Sequence, residues 1–252
     1  MKQFFKRHEL VFFFLFTYIL SWFAVPLMDG ALIPQGPMFA AVLILALTQG
    51  RQGLRDYWKR LTRWRGGRWY LVGAALIVGY QGIALAVNVG LGATLVEPVR
   101  WLSLGVFVQL LLFGGQWEEP GWTGYALPKL QERFTNRPNS LWSAALVLGI
   151  FRALWHIPLL LYGKIFWFDV LMFSVAFQVL IAWLYQQSGR SVPVVMWFHF
   201  MSNFVGATLF PVFSGADRLT YYALFMSLAA LLALALVWSS QIRVRGEKAG
   251  VV

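Results

Sequence analysis

Residues 141–161 read LWSAALVLGIFRALWHIPLLL, an apolar run of 21 residues broken by one arginine, Arg152, and one histidine, His156. A helix rises about 1.5 Å per residue, so this run is long enough to cross a hydrocarbon core about 30 Å thick. Working outward, comparable runs occupy 10–28, 32–49, 70–92, 101–118, 167–187, 194–213 and 220–239. They predict an all-α, polytopic membrane protein of about eight transmembrane helices, with 1–252 forming a single integral domain. Composition agrees: 59% of residues are hydrophobic and 12% charged, against roughly 25% charged in a soluble domain. So few charges cannot make a water-facing surface, and lipid is the solvent for most of this chain.

The formal charge of +11 is carried by residues that lie between the apolar runs. They act as topology signals and give no basic face for nucleic acid, which is excluded as a partner. With the N-terminus placed in the cytoplasm, the outer loops hold only Arg100, Lys164 and Arg218. The inner segments hold Lys2 to Arg7, Arg51 to Arg68, Lys129 to Arg137, Arg190 and Arg243 to Lys248, and Arg152 is left inside a span. This asymmetry predicts both termini inside and a multi-pass protein of the plasma membrane, of bacterial inner-membrane type. The aromatic core of the first run, with no small-x-small cleavage site, predicts a retained helix rather than a signal peptide. Residues 51–68, RQGLRDYWKRLTRWRGGR, read first as a basic inner loop and second as an interfacial helix on anionic headgroups.

Ionisable residues inside spans cost roughly 2.5–3.5 kcal/mol each on insertion scales, so they mark candidate sites. Glu118 and Glu119 close the fourth run, in QWEEPGWTGYALPKLQ. Pro120 disfavours helix at Glu119 and is expected to end that span there. Arg152 and His156 share a face of the fifth, and His199 and Asn203 share a face of the seventh, each pair four residues apart. Asp169, at the outer edge of the sixth run, reads as a boundary residue. The chain has no Cys, no Gly-x-Ser-x-Gly, no His-Glu-x-x-His, no Walker loop and no dinucleotide fingerprint. What remains is carboxylate, imidazole and amide. A Glu aided by a His can take a proton from water, and a His and an Asn on one face can donate to an oxyanion. Glu118, His156 and His199 could instead hold Zn²⁺ with an open position for water.

At these residues the chain resembles the CPBP/Abi family of intramembrane proteases, which includes the type II CAAX prenyl endopeptidases. The family pattern is Glu-Glu-x-x-x-Arg, then aromatic-x-x-x-His, then His-x-x-x-Asn/Asp, and it falls on 118–123, 152–156 and 199–203. The motif region is 118–203. The resemblance implies an endopeptidase that hydrolyses a peptide bond in a membrane peptide or protein substrate. By it, Glu118 activates water with help from His156, His199 and Asn203 hold the oxyanion, and Glu119 supports the site. Two positions depart from the pattern: Thr123 stands where the motif has Arg, and Arg152 where it has an aromatic. We read these departures as linked, with Arg152 pairing to Glu119 and leaving Glu118 free. A mechanism without a cofactor is expected, with zinc as the alternative.

Two other readings remain at this level: a non-catalytic scaffold or immunity protein of the same fold, and a small proton-coupled transporter using Glu118 and the histidines as a relay. Topology can be tested on its own. Reporter fusions after Arg68 and at Val252 are expected to score as cytoplasmic; external scores would reverse the orientation.

Overall fold

The computed structural model describes residues 2–99, 104–137 and 139–249. Arg100, the first three residues of the expected fourth span and Val252 lie outside the described residues. Every described element is helical, as lipid requires of a chain that must satisfy its own backbone hydrogen bonds. Among the described residues, five helices are long and apolar enough to cross a membrane: Glu9–Leu27, Trp69–Gly90, Ser140–Leu161, Val192–Val212 and Gly215–Ser240. The other three apolar runs form shorter helices.

In chain order the elements are α1 (Glu9–Trp22), α2 (Gly36–Thr48), α3 (Gly50–Leu61), α4 (Trp69–Gly90) and α5 (Leu104–Phe113). The next stretch, called α6, is helical from Gly115 to Arg133. It is built from a 3-10 turn (Gly115–Glu118), one α turn (Glu119–Gly121), a π turn (Trp122–Ala126) and an α segment (Leu127–Arg133). Then follow α7 (Ser140–Trp155), α8 (Ile157–Leu161), a π turn (Asp169–Phe173) leading into α9 (Ser174–Gln187), α10 (Val192–Leu209) and α11 (Gly215–Ala249).

The fourth span does not end at Pro120 as expected. The break comes earlier, at Gly114, whose backbone is extended with φ −77° and ψ 171°. Pro120 instead lies in the first turn of the next helix, where its missing N–H would be unpaired anyway and its fixed φ suits a helical start. The last carbonyls of α5, which a helix end leaves unpaired, are capped from the far side of the break. Gln116 Nε2 donates to Leu110 O and Leu111 O at 2.7 Å each, and Trp117 Nε1 donates to Leu111 O at 3.0 Å.

The second break is at His156. Pro158 lies in the first turn of α8 and supplies no N–H, so side chains of α1 take up carbonyls near the interruption. Tyr18 donates to Phe151 O at 2.9 Å and Trp22 Nε1 to Trp155 O at 3.0 Å. His156 itself bonds Arg152 O through Nδ1 at 2.8 Å.

Stretch α6 lies against α2, α7 and α10, and Trp122, Thr123, Ala126 and Leu127 have no exposed surface. Close approach depends on small residues, the usual means of helix contact where lipid removes the hydrophobic drive. A Cβ on Gly149 of α7 would stand 3.0 Å from Val175 Cα in α9. At Gly121 the contact is backbone on backbone: a Cβ there would lie 2.2 Å from Pro37 C and 2.3 Å from Pro37 O. Gly121→Ala is therefore expected to push α6 off α2 and to destabilise by about 1–3 kcal/mol, as overpacking does. A thermal unfolding midpoint in detergent equal to that of the native chain would contradict this contact.

Candidate active site

Arg152 is 1% exposed, and each of its polar partners comes from a different helix than its own. Nη1 donates to Gln178 Oε1 of α9 at 2.9 Å. Nη2 donates to Glu118 Oε2 at 2.9 Å and makes a very close contact with Glu119 Oε1, both in α6. The same nitrogen lies 3.2 Å from His199 Nδ1 of α10, and the guanidinium carbon stands 5.8 Å from the Phe177 ring centroid. One side chain of α7 thus ties α6, α9 and α10 together.

Glu119 is fully buried and fully occupied. Its Oε1 receives Arg152 and lies 2.8 Å from His199 Nδ1, while its Oε2 accepts from Thr123 Oγ1 at 2.6 Å. The hydroxyl at 123 therefore serves the carboxylate one turn earlier, and the guanidinium arrives from α7. Arg152 does not single out Glu119 as expected; it engages both carboxylates, because Glu118 and Glu119 are neighbours on the first turns of α6 and a guanidinium carries several donors in a fork. Glu118 retains one carboxylate oxygen, Oε1, that Arg152 does not bind.

Gly115 packs over that oxygen. A Cβ on Gly115 would lie 2.3 Å from His199 Nε2 and 3.0 Å from Glu118 Oε1, so only glycine lets the chain pass there. Its signal in the sequence is the Gly-Gly pair just ahead of the acidic motif. Two carboxylates against one guanidinium leave the acidic groups of the cluster in excess.

Beside the cluster lies a polar chamber of about 180 Å³, lined in part by Arg152, His156, Asp169, Ser174, His199 and Asn203. His156 lines the chamber with Arg152 and His199: its Nδ1 faces Arg152 O at 2.8 Å and Ser174 Oγ at 3.4 Å. Ser174 donates its own proton to Asp169 O at 3.1 Å. Both partners at Nδ1 thus act as acceptors, which assigns the proton to Nδ1 and leaves Nε2 a lone pair. Asn203 lines the chamber one turn beyond His199. Asp169 is a chamber wall and not merely a span boundary; the π turn at Asp169–Phe173 carries it there. A separate, largely apolar groove of about 710 Å³ reaches Gln116, Trp117 and Pro120, next to Glu118 in the chain.

Among the described residues, no three His, Cys, Asp or Glu side chains are grouped so as to hold a metal ion. The contacts of Glu118, His199 and His156 with the guanidinium, Glu119 and a carbonyl use Oε2, Nδ1 and Nδ1, so they leave Glu118 Oε1 and the Nε2 atoms of both histidines for a water or for the zinc alternative.

The sequence profile described as type II CAAX prenyl endopeptidase Rce1-like matches residues 100–205. "CAAX prenyl protease 2" of Methanococcus maripaludis is 30% identical over 105 residues, which cover 37% of this chain and 37% of the relative. The chain thus matches little more than a third of the length of that relative. Over 100–205, the segment that supplies Glu118, Glu119, Arg152, His156, His199 and Asn203, this multi-pass membrane chain is similar to the Rce1-like type II CAAX prenyl endopeptidases.

Proposed function

We propose that the protein is an intramembrane endopeptidase that hydrolyses a peptide bond in a membrane peptide or protein with a water activated by Glu118. The observation that carries this reading is the convergence of Glu118, Glu119, Arg152 and His199 from three helices, beside a polar chamber holding His156 and Asn203. Buried charge at this depth is costly and is kept where it serves a site. In the reaction, Glu118 Oε1 accepts a proton as the water oxygen attacks the carbonyl carbon. Asn203 and His199 donate to the oxyanion, as groups already in place at one wall of the chamber. When the C–N bond breaks, the amine takes a proton relayed through His156 Nε2, and the carboxylate is restored. Arg152 and Glu119 act as positioning residues, and Thr123 holds the outer oxygen of Glu119. No step requires a metal.

The groove and the chamber give the two reactants separate approaches. A chamber of about 180 Å³ has room for several waters at about 30 Å³ each, and the groove offers an apolar substrate a way in from lipid. The charge asymmetry supports eight spans with both termini in the cytoplasm, in a plasma membrane of bacterial type.

One contact favours a second reading. Arg152 on Glu118 Oε2 also suits a structural ion pair in a non-catalytic scaffold. Glu118→Gln separates the two readings, since it keeps the shape and removes the base. Cleavage of a membrane peptide is expected to fall by at least about 100-fold in Glu118→Gln and in His156→Ala, the usual scale for a general acid or base. Both variants are expected to remain folded. Retained cleavage in Glu118→Gln overturns the assignment. Loss of cleavage with a chelator and recovery with Zn²⁺ would replace the metal-free mechanism by a zinc site.

A further inference from the structure

Helix α3 and the turn after it carry Arg51, Arg55, Lys59, Arg60, Arg63, Arg65 and Arg68 against a single acid, Asp56. Only Gly53 and Tyr57 of α3 are buried. Lys59 stands 4.0 Å from Asp56, and Arg60 and Arg68 lie over the Tyr57 and Trp69 rings at 5.9 and 5.3 Å. Arg55, Arg63 and Arg65 have no carboxylate partner among the described residues. Trp58 and Trp64 on the same segment are 64% and 76% exposed. A basic, Trp-bearing helix with so little buried surface is built for a membrane interface.

The same segment forms one wall of the 710 Å³ groove. Trp58 and Trp64 line it together with Leu111, Trp117, Trp197 and Ala74 of α4, and the lining is almost wholly apolar. An apolar slot whose wall is supplied by a cation-rich, interfacial segment matches one chemistry: hydrocarbon below a negatively charged headgroup. We propose that the groove is a binding site for an anionic phospholipid, its acyl chain between the tryptophans and its phosphate at the cations of α3 and the following turn. The inference rests on the reading of the chain as a membrane protein and not on proteolysis. A zwitterionic lipid offers the same chain but cancels the phosphate charge, so it binds less well. Because the groove reaches Pro120, two residues from Glu118, the lipid also competes with any substrate approaching from that side.

The test is native mass spectrometry of the purified full chain in detergent, titrated with phosphatidylglycerol and phosphatidylcholine of identical acyl chains. Phosphatidylglycerol is expected to be retained at concentrations where phosphatidylcholine is not. Successive Arg55→Gln, Arg63→Gln and Arg65→Gln substitutions are expected to reduce that preference about fivefold per charge, the attraction of one basic side chain to an anionic surface. Ala74→Trp, which fills the groove and leaves every cation in place, is expected to abolish retention. Unfolding midpoints accompany each variant, with Leu71→Trp as a second filler should Ala74→Trp lower the midpoint. Equal retention of the two lipids overturns the proposal. So does a preference that survives the loss of the three charges, or retention that survives both groove-filling variants. A prenylated peptide held in the groove when neither phospholipid is retained in its absence would assign the groove to substrate alone and overturn it as well. No arm of the test reads cleavage, so its failure leaves the proposed protease reaction untouched.

Discussion

A guanidinium inside an apolar bundle must find acceptors, since an unpaired charge there costs several kcal/mol even after the protein relaxes. Arg152 finds them in Glu118, Glu119 and Gln178, with His199 alongside, and the arrangement constrains every helix that contributes. α6 must begin with its first turn beside α7, which requires α5 to stop at Gly114 and the chain to pass over His199 at Gly115. α9 must present Gln178 while its preceding π turn presents Asp169, and π turns are frequent at functional sites. The same low-dielectric setting that makes the unpaired charge costly strengthens each hydrogen bond in the paired cluster.

Two spaces of opposite character lie near the cluster. One is a polar chamber lined in part by Arg152, His156, Asp169, His199 and Asn203; the other is an aromatic groove that reaches Gln116, Trp117 and Pro120. The groove reaches the short stretch Gln116 to Pro120, whose shape is set by one glycine break and one proline in a first turn.

Much of this was legible in the sequence because lipid leaves the backbone so few options. The apolar runs became helices, and Arg152, His156, His199 and Asn203, paired by their spacing, line one chamber. Three features were not legible, each for a physical reason. Pro120 disfavours helix before it and favours helix after it, and sequence alone does not say which effect governs when Gly114 offers an earlier break. Helix length was overestimated where residues follow a break: only 13 residues, Gly36–Thr48, remain helical in the second run, behind Pro34. Asp169 read as an edge residue because a regular helix would have left it at the rim, and the π turn that carries it inward has no clear sequence signal.

The account stands on the buried pairing of Arg152 with the α6 glutamates, and a double-mutant cycle measures it directly. Unfolding free energies in detergent are to be compared for Arg152→Met, Glu119→Gln and the double variant. Arg152→Met leaves two buried carboxylates unmatched and is expected to cost about 3–5 kcal/mol, whereas Glu119→Gln leaves Arg152 paired with Glu118 and is expected to cost less. The double variant is expected to cost no more than Arg152→Met alone, with a coupling within the range of about 0.5–3 kcal/mol seen for residues in one network. Effects that simply add, within about 0.5 kcal/mol, would mean that Arg152 and Glu119 do not depend on each other, and the cluster could not be what positions these helices.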